Sequence, residues 1–541
     1  MKGLHRRCAQ CSVMLLVAWV LPSGCASTGT SAAGASFQDL PDDSRPRLVV
    51  YLVVDQLRGD LLERYSPAFT GGFRRLLDEG LSFTNALHGH SSTETAPGHA
   101  ALSTGVHPAR ARIPSNAWRE EGERVLNVID YQERLVGLPD VPGASPRVLD
   151  RTGLADWLLE AQSDARVLSV SGKDRAAVLM AGRSKGDVYW FDALSGQFVT
   201  STYYRSTNPS WLDRFNRETM PGFRADSVWA STVPPEFATL SAPDTASFEG
   251  DGVNTYFPHR YHRERIDPEA DDFFLWFETT PMLDRATLDV VLMAMDGEGI
   301  GRRQGRTDFL SISFSQADRV GHSYGPLSRE QMDTLLRLDK VLEDLFGLLD
   351  TRVGPGMWVV GLTGDHGVMT MPERAEGEGR RLTMEDRSTL EQGLSRVARE
   401  STGQGEALAG SLLGALGEFT FVGPAFTHRE LLSGVPGDSL ATLFQRNFTP
   451  GRAGGLLSAY GVEMWFAENV LDWNYSSFGT THGSPFHYDR WVPLILMGPG
   501  IEKGRVEDPV QPLDLAPTLA GLAGIPYPGD LDGVPLVLRK D

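Results

Sequence analysis

Three apolar runs in this chain each stop on a side chain that can bind a cation. RLVVYLVVD ends at Asp55, TDFLSISFSQAD ends at Asp318, and MWVVGLTGDHG delivers Asp365 and His366. Each run carries Val, Leu, Ile or Phe in a density suited to a buried parallel strand. Open α/β sheets bind ligands outside the carboxyl ends of their strands, so three such ends bring carboxylates and an imidazole together. RVLSVSGKDR repeats the pattern and delivers Lys173 and Arg175. Between the strands, PGHAALSTG reads as a short helix with Pro97 in its first turn. Thr95 then stands at a helix N-terminus, where free N–H groups and the dipole favour a phosphoryl group. In LSREQMDTLLRLDKVLEDLFGLLDTRV, residues Met332, Leu335, Leu336, Leu338, Val341, Leu342, Leu345 and Leu348 recur at near-helical spacing behind Ser328 as N-cap, predicting a covering helix. The ending, WVPLILMGPGIEKGRV and then DLAPTLAGLAGI, predicts a strand, a turn and a helix with Asp514 near its start. The fold class expected is α/β, a mostly parallel central sheet flanked by helices.

Two stretches break this rhythm. Residues of about 181–300 are rich in aromatic and turn residues and read as a cap inserted over the sheet edge; residues of about 371–470 read as a second insertion with no assigned role. Asp318 and His322 are four apart and share a face if the chain turns helical there, whereas adjacent Asp365 and His366 suit a loop. With Asp55, Thr95 and His482 they form a mixed oxygen and nitrogen donor set, better matched to Zn²⁺ than to Mg²⁺ or Ca²⁺. Six amino-acid ligands besides Thr95 exceed one tetrahedral shell. They suffice for two ions about 4 Å apart, an arrangement used for in-line phosphoryl displacement. Taken singly, each residue has an ordinary reading as a cap or a satisfied core group, and Asn116, in RIPSNAWRE, would be a turn residue.

The motifs VVDQLRGD, TETAPGHAALSTG, SQADRVGHSYGP, TGDHGV and THGSP, in this order, resemble the alkaline phosphatase superfamily. They look most similar to its periplasmic phosphate-irrepressible monoesterase branch, which is related to nucleotide pyrophosphatase/phosphodiesterases. The resemblance runs from about residue 47 to the end. It implies that Asp318, His322 and His482 hold one Zn²⁺ and that Asp55, Asp365 and His366 hold the other, with Thr95 completing that shell as the nucleophile of a phosphothreonine intermediate. It also implies that Asn116, Lys173 and Arg175 meet the phosphate oxygens, and that the substrates are small phosphate monoesters. His99 and His487 match no ligand position; the first reads as a packed helix residue and the second as a loop residue. A phosphodiesterase or nucleotide pyrophosphatase would share the metals, Thr95 and Asn116 but has no reason to place Lys173 and Arg175 at the phosphate. A sulfatase would need a Cys or Ser nucleophile followed by Arg, which TAPGH lacks. An inactive binding protein of the same fold would ordinarily have lost ligands, and all seven positions are filled.

Charge and the N-terminus narrow the setting. A formal charge of −19 over 541 residues makes nucleic acid an unsuitable bulk partner, so an anionic substrate must be drawn by locally placed cations. Residues 1–24 carry Lys2, Arg6 and Arg7, an apolar stretch and small residues before Cys25, a secretory leader pattern too short to span a bilayer. Ser23, Gly24 and Cys25 resemble a bacterial lipoprotein processing box, with Pro22 where Leu is usual. Cys8, Cys11 and Cys25 are the only cysteines, so cleavage before Cys25 leaves no pair for a disulfide. Residues 25–46 read as a disordered tether ahead of a catalytic domain at 47–541. The expected protein is a monomer, periplasmic or tethered to the outer membrane.

Overall fold

The computed structural model describes residues 45–250, 254–261, 272–375 and 377–538. The expected leader, and the expected tether up to residue 44, lie outside the described residues.

Nine strands build one central sheet: β1 (Leu48–Val54), β2 (Leu81–Leu87), β3 (Val167–Ser171), β4 (Asp187–Asp192), β5 (Gln197–Val199), β6 (Asp308–Phe314), β7 (Trp358–Thr363), β8 (Trp491–Met497) and β9 (Gly504–Val506). They lie in the order β9-β2-β8-β7-β1-β6-β3-β4-β5. The five strands from β7 to β4 run parallel, while β8 and β5 are antiparallel to their neighbours. Every residue of β1, β6 and β7 is buried, including Ser311 and Ser313 of β6, as strands covered on both faces require. Val53 of β1 is level with Thr363 of β7 and Ser313 of β6, and Ser313 is level with Ser171 of β3. Four parallel strands therefore end together, and the residues just beyond them are forced into one crevice.

Helices cover both faces. The principal ones here are α1 (Thr95–Thr104), α2 (Asp174–Met180), α3 (Met282–Glu298), α4 (Gln316–Tyr324), α5 (Arg329–Arg352) and α6 (Leu515–Leu522). Strand β4 shows the division: Tyr189 and Phe191 pack with α3 and α5 into one cluster, and Val188 and Trp190 pack with α1 and α2 into another. Ser328 caps α5 as expected, its hydroxyl accepting from the Gln331 N–H at 3.0 Å. Along α5 the core stripe closes on Leu349 rather than Leu348, which is only half-buried; Leu338, Leu342, Leu345 and Leu349 keep the three-and-four rhythm of one helix face.

The segment of about 181–300 is not a separate cap over the sheet. It supplies β4 and β5 and the core helix α3. Much of its aromatic content is core: Phe191, Phe198, Phe215, Phe273, Phe274 and Phe277 share one cluster. Such a run lacks clean periodicity because strand, turn and helix follow one another within a few residues. The segment of about 371–470 does make its own apolar clusters, one around Leu390, Leu412, Leu416 and Met464 and a smaller one around Phe426 and Phe444. No described helix is long and apolar enough to cross a membrane.

Candidate metal centre

The crevice at the strand ends gathers the residues the pattern singled out. Asp55 follows β1 and is tied to β6 by its own N–H, 2.9 Å from the Phe314 carbonyl. Asp318 and His322 stand on α4, one turn apart on the same face, and Asp365 and His366 occupy the loop after β7. His482 arrives from the loop ahead of β8. Asp318, His322 and His482 present ligand atoms within 4.8 Å of one another, as do Asp55, Asp318 and His366. Asp365 faces the same space, its Oδ2 3.4 Å from His366 Nε2. Asp318 is common to both groups, so the two candidate groups adjoin.

Hydrogen bonds fix the tautomers. His322 Nδ1 lies 2.9 Å from the Thr480 carbonyl, His366 Nδ1 3.0 Å from the Gly367 carbonyl, and His482 Nδ1 2.7 Å from the Thr93 carbonyl. A carbonyl only accepts, so each Nδ1 carries the proton and donates it. Each Nε2 then turns toward carboxylate: His322 to Asp318 at 3.2 Å, His482 to Asp318 at 3.4 Å, His366 to Asp55 at 3.5 Å. Backbone-anchored rings with Nε2 directed inward are the outer-shell arrangement of metal-binding histidines.

Electrostatics favour cations. Burial, reinforced by Asp365, pushes the Asp55 carboxyl up to about 7. Burial also works to raise Asp318, but the Lys173 ammonium and His322 outweigh it and hold that carboxyl well below its usual range. Asp365 is likewise lowered against the effect of burial, chiefly by His366. Burial drives the His366 imidazole well below its usual value. Asp55 Oδ1, Asp365 Oδ2 and His366 Nε2 are buried with no hydrogen-bond partner among the described residues. Unpaired buried polar atoms cost about 1–3 kcal/mol each, more when charged, and three facing one space fit a metal shell. Three carboxylates with three Nε2 donors suit Zn²⁺ by donor type.

Thr95 is the first residue of α1 and is buried. The helix lies so close to the metal loop that a Cβ on Gly98 would come within 2.3 Å of the Asp365 carbonyl oxygen, so only glycine permits this approach. Asn116 is locked beside Thr95. Its Oδ1 accepts from the Ala96 N–H at 2.9 Å, its own N–H donates to Glu94 Oε2 at 2.7 Å, and its carbonyl accepts from Asn127 at 2.5 Å. Because a backbone N–H can only donate, the amide orientation is set, and its nitrogen remains the donor end.

Lys173, N-cap of α2, is buried, and its ammonium lies 2.7 Å from Asp55 Oδ2 and 2.5 Å from Asp318 Oδ2. In this structure it bridges two metal-candidate carboxylates. Arg175, in the first turn of α2, is half-buried, and its Nε has no partner among the described residues. Both residues line a cleft with Trp190 and Arg319.

Two further residues hold the centre that their positions in sequence did not reveal. Gln56 takes a left-handed φ of 65°, donates its N–H to Asp365 Oδ1 at 3.1 Å and its side-chain amide to Asp318 Oδ1 at 2.9 Å. A Cβ at Gly321 would fall 1.9 Å from its Oε1. His99 is packed in α1 as expected. Its Nδ1 lies 2.8 Å from the Thr95 carbonyl and 3.2 Å from Asp365 Oδ2, and its Nε2 2.8 Å from Ser313 Oγ. His487 opens a short helix ahead of β8, outside the cluster.

Comparisons with known proteins bear on the family and the fold. Residues 49–407 match the family described as type I phosphodiesterase / nucleotide pyrophosphatase. The chain is 32% identical to the alkaline phosphatase PafA of Elizabethkingia meningoseptica over 91% of its own length and 94% of that protein, and 30% identical to the alkaline phosphatase PhoV of Synechococcus elongatus over 90% and 91%. The crystal structure of wild-type PafA matches with a TM-score of 0.82 at 31% identity, covering 92% of this chain and all of that one; a PafA variant substituted at a threonine, an asparagine, a lysine and an arginine matches at 0.81. The chain therefore belongs to the type I phosphodiesterase / nucleotide pyrophosphatase family of the alkaline phosphatase superfamily.

Proposed function

We propose that this protein is a two-zinc alkaline phosphatase that hydrolyses phosphate monoesters through a phosphothreonine at Thr95. The observation that carries the reading is the convergence of Asp55, Asp318 and Asp365 with three inward Nε2 atoms beside a threonine at a helix N-terminus. The names of its relatives support the substrate class. Asp318, His322 and His482 would hold one Zn²⁺ and Asp55, Asp365 and His366 the other, and two such ions supply the positive charge that makes an alkoxide accessible near neutral pH and steadies a departing oxygen. Thr95 Oγ1 attacks phosphorus, the bond from phosphorus to the alcohol oxygen breaks, and the alcohol leaves. Water then attacks the phosphothreonine, the bond from phosphorus to Oγ1 breaks, and Thr95 is restored with release of inorganic phosphate. Two displacements give net retention at phosphorus.

Asn116, held by the Ala96 N–H, directs its amide donor at a phosphate oxygen, and Arg175 offers a fork matched to two oxygens. Lys173 exchanges its carboxylate partners for a phosphate oxygen once cations take Asp55 and Asp318. A phosphodiesterase is the second reading, favoured by the family description itself. Rates on aryl and sugar monoesters, a diester and a sulfate ester, with elemental analysis of the active protein, decide between them. Monoester preference and two zinc ions per chain are expected; diester preference, or one zinc or none, overturns the proposal.

The leader pattern supports export, with lipidation at Cys25 and a periplasmic or outer-membrane-tethered location. Cys25→Ala should release the activity from membranes or block maturation; unchanged retention counts against the anchor.

A further inference from the structure

Beside Thr95 and His482 lies a cavity walled by the segment of about 371–470, for which neither the metal cluster nor the phosphate contacts have a use. Its lining includes Glu94 and Gly483, the neighbours of Thr95 and His482, together with Phe444, Phe448, Leu456 and Trp465. Phe444 lies in the helix Ser439–Asn447 and Trp465 on the strand Val462–Phe466. The indole reaches the residue next to His482: a Cβ on Gly483 would lie 3.0 Å from its outer edge.

The charged groups at the rim are already engaged. Glu94 accepts from Ser92 at 3.0 Å and from the Asn116 N–H at 2.7 Å, and Glu463 lies 2.8 Å from Ser458 Oγ and 3.0 Å from His428 Nε2. Arg452 spans Glu120 at 3.1 Å and the Val148 carbonyl at 3.0 Å, with its guanidinium 5.0 Å over Trp118. The cavity thus presents aromatic faces and two carboxylates, while its arginine is bound elsewhere. Such a lining repels a second anionic group and favours an uncharged, flat, apolar one. Leu456 is 54% exposed, so the wall opens to solvent where a substituent would enter.

Resting on the monoesterase reading, we infer that this cavity is the binding site for the organic part of the ester, and that the preferred substrates are monoesters of alcohols carrying a neutral aromatic ring next to the esterified carbon. The ring packs against Trp465 while the phosphoryl group sits at Thr95. The second insertion then sets which alcohol is used, and the strand ends set the chemistry.

The test compares benzyl phosphate with methyl phosphate, whose alcohols have similar acidity, so that the ring is the chief difference. In the metal-loaded enzyme, kcat/KM should favour benzyl phosphate by about tenfold or more, the scale of one buried aromatic contact. Trp465→Ala should collapse that ratio toward one. Leu456→Ser, at an exposed position where folding is not at stake, should lower it measurably. Calorimetric binding of benzylphosphonate against methylphosphonate gives the same comparison without turnover. Equal binding of the two phosphonates to the parent, or a ratio untouched by both variants, overturns the inference. If benzylphosphonate binds more tightly through Trp465 while neither monoester is hydrolysed, the cavity assignment stands and the monoesterase reading falls.

Discussion

Lys173→Met tests how the centre is balanced, because the substitution removes the ammonium and keeps most of the stem's packing. In protein stripped of metal by chelation, Lys173 Nζ is the donor 2.7 Å from Asp55 and 2.5 Å from Asp318, both buried. Removing one partner of a buried ion pair costs about 3–5 kcal/mol. An unfolding entropy of about 2.1 cal/mol/K per residue over roughly 500 residues makes 1 kcal/mol about one degree, so Tm should fall by about 3–5 °C at pH 8. The loss should shrink in acid. Without Lys173 the folded-state pKa values of Asp55 and Asp318 rise, the folded state then holds more protons than the unfolded chain, and stability declines as pH rises through those values. The deficit is therefore smallest near pH 5 and largest near pH 9. With zinc bound, the carboxylates have another cation, and parent and variant should melt within about 1 °C of each other. Thermal unfolding of both proteins, with chelator and with zinc, at three pH values is the assay. An equal fall in both metal states, or no fall after chelation, refutes the reasoning.

Thr95→Ala should abolish nearly all turnover with zinc content unchanged, and Thr95→Ser should retain a measurable fraction; an Ala variant within tenfold of the parent points to another nucleophile. Replacing Lys173 and Arg175 together by Ala should lower kcat/KM for a monoester at least about a hundredfold, since charge-assisted bonds contribute about 1.5–3 kcal/mol each, and should cost a diester far less. His99→Leu removes the groups next to the Thr95 carbonyl and Asp365, and chelator competition should show zinc affinity lowered by about 10–100-fold, the scale for lost outer-shell partners. Burial, with Asp244 adding to it, pushes the Glu330 carboxyl from 4.5 up to about 8, so the folded state keeps a proton the unfolded chain has lost, and stability falls as pH rises between those values. Glu330→Gln, which can keep the 3.0 Å contact to His259, should raise Tm relative to the parent at pH 9 and change it little at pH 5.

Sequence alone exposed the centre because strand ends are a one-dimensional signal. An apolar run that stops on Asp55 or Asp365 marks both a buried strand and its carboxyl end, and parallel pairing in register brings the ends together. His482 has no strand before it and was legible only through the THGSP motif. Gln56 and His99 were not legible because their roles lie in hydrogen bonds that depend on where α4 and the loop after β7 come to rest. The aromatic run after residue 181 misled for the opposite reason. Phe191, Phe198 and Phe277 serve strand and helix in quick succession, so neither period persists long enough to be read, although all three are core. Trp465 marks the limit. Its neighbours in sequence carry no motif, yet the strand that bears it sets the indole against Gly483, one residue from His482. Tertiary proximity, which spacing cannot encode, decides which alcohol meets the phosphoryl site, so specificity belongs to the least legible part of the chain and chemistry to the most legible.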